Sequence, residues 1–142
     1  MKTNTELLTS LLHTVQMGQS GIRVVRDSAI RAGLRQELDR QLTEYDNIEK
    51  DALRLAAARG WKLSNINPII LQMSSIMSHM RLMGGEVDSK IAGMLIQGNT
   101  RGMILGQKNL NHCTQIDDQI AELAHTLLNK ENLNIQNTQV FL

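Results

Sequence analysis

The stretch LRQELDRQLTEYDNIEKDALRLAAARG, from Leu34 to Gly60, limits the possible folds of this chain more than any other. It sustains one apolar stripe at helical spacing over its whole length and is closed by a glycine. Leu34, Leu38, Leu42, Tyr45, Ala52 and Ala56 form that stripe, and a helix this long buries it only if other helices lie alongside. At about 3.6 residues per turn, Glu49 falls about 20° from Leu38, so a carboxylate is expected on the core-facing side. Arg26, whose phase on the preceding helix is similar, is its expected partner.

Composition agrees with helices packed on helices. Hydrophobic residues make up 42% of the 142 positions, while Phe, Trp, Tyr and Pro occur once each, leaving Leu, Ile, Ala and Met to fill the core. A chain of this length is expected to form a single domain, residues 1–142, that buries about two thirds of its unfolded surface without a disulfide. The 15 basic and 14 acidic side chains are interspersed and give a net charge of +1, which argues against a nucleic-acid partner. Cys113 is the only cysteine, excluding an internal disulfide and a thiolate metal cage; a buried free thiol is expected. No stretch reaches the roughly 18 apolar residues that span a bilayer, and MKTNTELLTSLL lacks a secretory pattern, so a cytoplasmic location is expected.

Caps and stripes divide the chain into helices near residues 4–30, 33–60, 68–110 and 114–140. Thr3-Asn4-Thr5-Glu6 reads as a capping box, and Gly18 and Gly21 mark places on the first helix where a neighbour can approach closely. Arg59-Gly60-Trp61 reads as a Schellman stop with Trp61 closing one end, and Asn67-Pro68 as the next helix start. Beyond it, Met73, Ile76, Met77, Met80 and Met83 make a Met-rich stripe up to Gly84-Gly85. Val87, Ile91, Leu95, Gly98, Gly102 and Leu105 follow, on one kinked helix or on a second one. Ile116, Ile120, Leu123, Ala124, Leu127 and Ile135 line the last helix.

The runs Met17-Gly18-Gln19-Ser20-Gly21-Ile22-Arg23, Ala57-Ala58-Arg59-Gly60-Trp61 and Ile96-Gln97-Gly98-Asn99-Thr100-Arg101-Gly102 make the chain resemble the ferritin-like superfamily. The resemblance covers nearly the whole chain and is to small four-helix branches similar to coat-F-like spore proteins. It implies an all-α, up-down-up-down four-helix bundle with the Met-rich helical segment added. Metal-binding ferritin-like proteins place a Glu on each of two helices and Glu-x-x-His on the other two. This chain has Gln19 and Asn99 where two carboxylates would stand, and Asp46-Asn47-Ile48-Glu49 supplies acids without an imidazole. Glu122-Leu123-Ala124-His125 matches the pattern, but its helical phase points both side chains away from the core. Glu131 and Asp117 lie toward the inner face of that helix.

The expectation is therefore a ferritin-like bundle with no cofactor and no metal. Gln19, Asp46, Glu49, Asn99, Asp117 and Glu131 would be positions of a dismantled site. His13, His79 and His112 are single, and the Met stripe suits packing better than Cu(I) or an anionic membrane surface. No phosphate loop, nucleophile elbow or catalytic pair is present, so no enzyme is expected. The favoured reading is a structural or assembly protein, cytoplasmic or spore-associated, forming a homo-oligomer, in the first place a dimer, through Met73, Ile76, Met77, Met80 and Met83. The alternatives are a divergent carboxylate metal-binding protein and an adaptor that binds a protein partner through the Met-rich helix.

Overall fold

The structure is a computed structural model that describes residues 2–66 and 86–142. Helix α1 (Asn4–Val25) starts at the expected capping box: the Thr3 hydroxyl accepts from the Glu6 amide at 3.1 Å, and the Thr3 amide donates to the Glu6 carboxylate at 3.5 Å. It ends earlier than the sequence predicts, because Arg26–Ser28 form one 3-10 turn and Ala29 is extended. The cause lies on another helix. Asp88, only 2% exposed, accepts from the amides of Ile30 at 2.7 Å and Arg31 at 3.0 Å, donors that a continued α-helix would have turned back on itself.

Helix α2 (Ala32–Ala58) closes as a Schellman motif. Gly60 adopts a φ of 69°, its amide donates to Ala57 O, and the Trp61 amide reaches Ala56 O at 2.9 Å. Trp61 is half-buried, packs against the core and lies under the Arg59 guanidinium at 5.6 Å. Helix α3 (Val87–Asn111) and helix α4 (Asp118–Gln139) follow. The turn between them carries Gln115 at a φ of 59°. Among the described residues all longer elements are helices, and the one β-contact is an isolated bridge between Lys2 and Cys113. None of the described helices is long and apolar enough to cross a membrane.

Side-chain pairs set the helix directions. Gln19 meets Asp46 and Arg26 meets Asp39, so α1 and α2 are antiparallel. Gln41 meets Thr138, Lys130 meets Glu44 and Arg59 meets Asp117, so α2 and α4 are antiparallel. Gly102 lies against Glu131 and Gly106 against Leu128, so α3 and α4 are too. Ser10 meets Asn109 at one end of α1 and Ile30 meets Asp88 beyond the other, which orients α3 against α1. Helices α2 and α3 therefore run the same way, and the expected strict up-down-up-down alternation is corrected. The chain leaves α2 at one end of the bundle and enters α3 at the other, because Asp88 must reach the α1–α2 joint. The helix start at Pro68, Gly84-Gly85 and the stripe Met73, Ile76, Met77, Met80 and Met83 lie outside the described residues.

The core is apolar at both ends of the bundle. Leu7, Leu8, Leu11, Ala56 and Ile120 fill one end, and Ile22, Val25, Leu34, Leu38 and Ile91 the other. Leu105, expected on the inner stripe of α3, is 46% exposed, because the buried face there runs through Asp88, Ile91, Ala92, Asn99 and Asn109. Replacing Asp88 with Ala strands two amides at the α1–α2 joint. Asp88→Ala is expected to cost about 1–3 kcal/mol in urea unfolding, whereas Asp27→Ala, at an exposed carboxylate two residues before the extended joint, is expected to change stability by less than about 0.5 kcal/mol.

Candidate functional site

Between the two apolar ends the inner positions turn polar. The buried seam of α2 runs through Leu34, Leu38, Gln41, Tyr45, Ile48, Ala52 and Ala56. Its three-residue steps fall after Leu38 and Tyr45, so Gln41 and Ile48 take the inner places expected for Leu42 and Glu49. Glu49 is thereby corrected to the flank facing α1. It is half-buried and accepts from Gln16 at 3.4 Å and Gln19 at 3.3 Å. Its expected partner Arg26 lies further along the antiparallel pair and instead grips both oxygens of Asp39 at 2.9 Å.

Each helix contributes to the polar layer. Gln19 on α1, 4% exposed, donates to Asp46 Oδ1 at 2.9 Å as well as to Glu49. Arg23 approaches the same Asp46 carboxylate at 3.8 Å. Tyr45 on α2 is buried, and its hydroxyl donates to Asn99 Oδ1 on α3 at 2.9 Å, while Asn99 Nδ2 turns back to Leu95 O. Glycine makes room for the ring: a Cβ on Gly18 would lie 2.6 Å from Tyr45 Cζ. Gly102 does the same for Glu131 of α4, since a Cβ there would lie 2.7 Å from Glu131 Oε1 and 2.9 Å from its Cδ.

Glu131 is 1% exposed, and its Oε2 has no hydrogen-bond partner among the described residues. Burial pushes its carboxyl up to about 8, because ionisation would place a charge in a medium that cannot solvate it. Burial first, and then the nearby Glu131 charge, raise the Tyr45 phenol well above its ordinary range, with Asn134 pulling the other way. One turn along α4 from Glu131, Asn134 accepts from Arg40 at 3.1 Å, and Arg40 also grips Glu37. Gln41 links Glu37 to the buried hydroxyl of Thr138, each at 3.0 Å.

Of the positions predicted from sequence, the fold brings Gln19, Asp46 and Glu49 into one hydrogen-bonded group and buries Asn99 and Glu131. Asp117 is a correction. It caps α4 by accepting from the amides of Gln119 and Ile120 and pairs with Arg59 at 2.6 Å, so it serves the helix end and not the interior. Glu122 and His125 are exposed, as their phase predicts. His13 binds Ser64 O at 2.8 Å, His112 is exposed, and Cys113 is half-buried, not fully buried as expected. Sequence reasoning missed Gln41, Asn134, Thr138 and Asp88. Asn134 and Thr138 were within reach, since with Glu131 they continue the spacing of Ile120, Leu123 and Leu127 once polar residues are admitted to the stripe.

An open groove of about 460 Å³ runs along α1, lined by Thr5, Thr9, His13, Met17, Ile66 and Leu105, apart from the polar layer. Among the described residues no group of three or more His, Cys, Asp or Glu is placed to hold a metal. The donor set at the layer does not fit a di-iron centre. Its buried residues Gln19, Asn99, Tyr45 and Glu131 offer two amides, a phenol and one carboxyl, buried Gln41, Asn134 and Thr138 add only neutral groups, and the Asp46 and Glu49 carboxylates beside them already receive the Gln19 amide. No protein-family model, curated protein or solved structure matches the chain.

The close approaches yield a contrast between glycines. Gly18→Ala and Gly102→Ala force Tyr45 or Glu131 to move, and each is expected to lower stability by about 1–3 kcal/mol. Gly21→Ala, whose added Cβ meets no described atom within 4 Å, is expected to stabilise by up to about 1 kcal/mol. Thermal or urea unfolding of the three variants tests this, and equal effects at all three positions would contradict the packing described.

Proposed function

We propose that this chain is a ferritin-like helical bundle that has exchanged metal chemistry for a hydrogen-bonded interior, and that it serves as a structural or assembly protein and not as an enzyme. The observation that carries the reading is the polar layer itself. Where facing helices of a di-iron bundle present bridging carboxylates, Gln19 and Asn99 present neutral amides. The N–H groups of Gln19 bring Asp46 and Glu49 together, a task that a cation performs in a carboxylate centre. Asn99 is committed to the Tyr45 hydroxyl and the Leu95 carbonyl. The parallel course of α2 and α3, although it departs from the alternation expected from the resemblance, supports the same reading, because ferritin-like bundles depart from strict up-down-up-down order in the same way.

The proposal includes self-association, in the first place as a dimer, through the Met-rich stripe; sizing of a Met77→Asp, Met80→Asp variant tests that part. The functional core of the proposal is tested by iron. After anaerobic loading with Fe(II), exposure to air and desalting, elemental analysis is expected to find no stoichiometric iron, and the rate of Fe(II) oxidation is expected to match buffer. Gln19→Glu alone should not create a site, since no imidazole of the described residues faces the layer. Near-stoichiometric iron with catalysed oxidation would overturn the proposal in favour of a carboxylate metal-binding protein.

A further inference from the structure

Most acids near the polar layer have a cationic or N–H partner, and Glu131 Oε2 has none among the described residues. The surroundings explain why no countercharge reaches it. From α2, Tyr45 is neutral and its proton is given to Asn99, while the Arg40 guanidinium is engaged by Glu37 and Asn134. Glu44, also on α2, is held by Lys130, the residue next to Glu131 on α4. Helix α3 offers Gly102 and Asn99, neither of which ionises, and helix α1 offers Gln19, whose amide is held by Asp46 and Glu49. The carboxyl is packed against bare backbone at Gly102 and shut off from bulk solvent.

We infer that Glu131 is a proton-operated latch between α3 and α4: with its proton on, the carboxyl lies against Gly102 and the seam stays closed; with the proton lost, an uncompensated charge in that seam drives the two helices apart. A buried carboxylate without a partner is stabilised either by admitting water or by moving its neighbours, and the Gly102 contact is where α3 and α4 must yield. The sign follows from proton linkage. The folded chain holds this proton up to about pH 8, whereas the unfolded chain releases it near the ordinary 4.5. Stability from this group is complete below the lower value, falls as pH rises between the two, and is flat above the higher one. Opening the seam would expose Asn99, Tyr45 and Asn134, so the polar layer becomes accessible in mildly alkaline conditions.

The inference needs only that no cation neutralises Glu131, and to that extent it rests on the metal-free reading; every arm of its test therefore uses chelator-treated full-length protein. The unfolding equilibrium constant of the wild type is expected to rise by up to about tenfold per pH unit between pH 5 and 8. Glu131→Gln should remove that rise, and Glu131→Met serves if the glutamine variant does not fold. Hydrogen exchange, corrected for the intrinsic pH dependence, should show amides around Gly102 and Glu131 losing protection over the same range in the wild type alone. Carbon-13 spectra of the glutamate carboxyls give a reading independent of any variant. A Glu131 carboxyl that titrates near 4.5, or a pH slope unchanged in both variants, overturns the latch. Iron uptake by untreated protein would overturn the metal-free reading, while the slope measured on treated protein would still decide the latch.

Discussion

Tyr45 spans the middle of the bundle because Gly18 leaves bare backbone beneath its ring and Asn99 accepts from its hydroxyl. That single side chain ties α1, α2 and α3 at one level, and the Gly102–Glu131 contact closes α3 on α4 beside it. Both contacts depend on an absent Cβ. With side chains at Gly18 and Gly102 the helices would stand further apart, and the hydrogen bonds of the layer would lengthen beyond use. The polar groups are worth burying only at this separation, since a half-satisfied network is less stable than an apolar one.

The ends of the bundle are held by different means. At one end Asp88 takes the two amides that the α1–α2 joint leaves over, which fixes the place where α3 begins. At the other end the Schellman stop at Gly60, the Arg59–Asp117 pair and the bond from Asn4 Nδ2 to Gln115 O bring α2, α1 and the α3–α4 turn together. Leucine and isoleucine pack between these fastenings and the middle layer. Apolar packing supplies the larger share of the stability, and the polar contacts specify which helix lies beside which.

The polar layer is built for hydrogen bonding within the protein. Amides at Gln19 and Asn99 donate as well as accept, so they satisfy neighbours within the protein and leave few lone pairs for a cation. Glu131 is the exception, a carboxyl whose burial favours its neutral form, and under the proposed latch it is the group through which the layer responds to protons.

Among the described residues the sequence by itself determined the helices, because their signals are local: the capping box at Thr3, the stop at Gly60, and stripes whose period any neighbour would read. Helical phase also placed Glu131 inward and Glu122 and His125 outward, whereas Gln19 and Asn99 were singled out only by the ferritin-like resemblance. Phase failed at Glu49 and Leu105, which lie near the edge of a buried arc whose centre depends on the neighbouring helix. Only the tertiary structure decided that α2 and α3 run the same way, that Arg26 belongs to Asp39, and that Asp117 caps a helix while Asp88 braces a joint. Each of these joins residues far apart in the chain or turns on where a helix begins, and spacing within one stripe carries no information about what stands opposite.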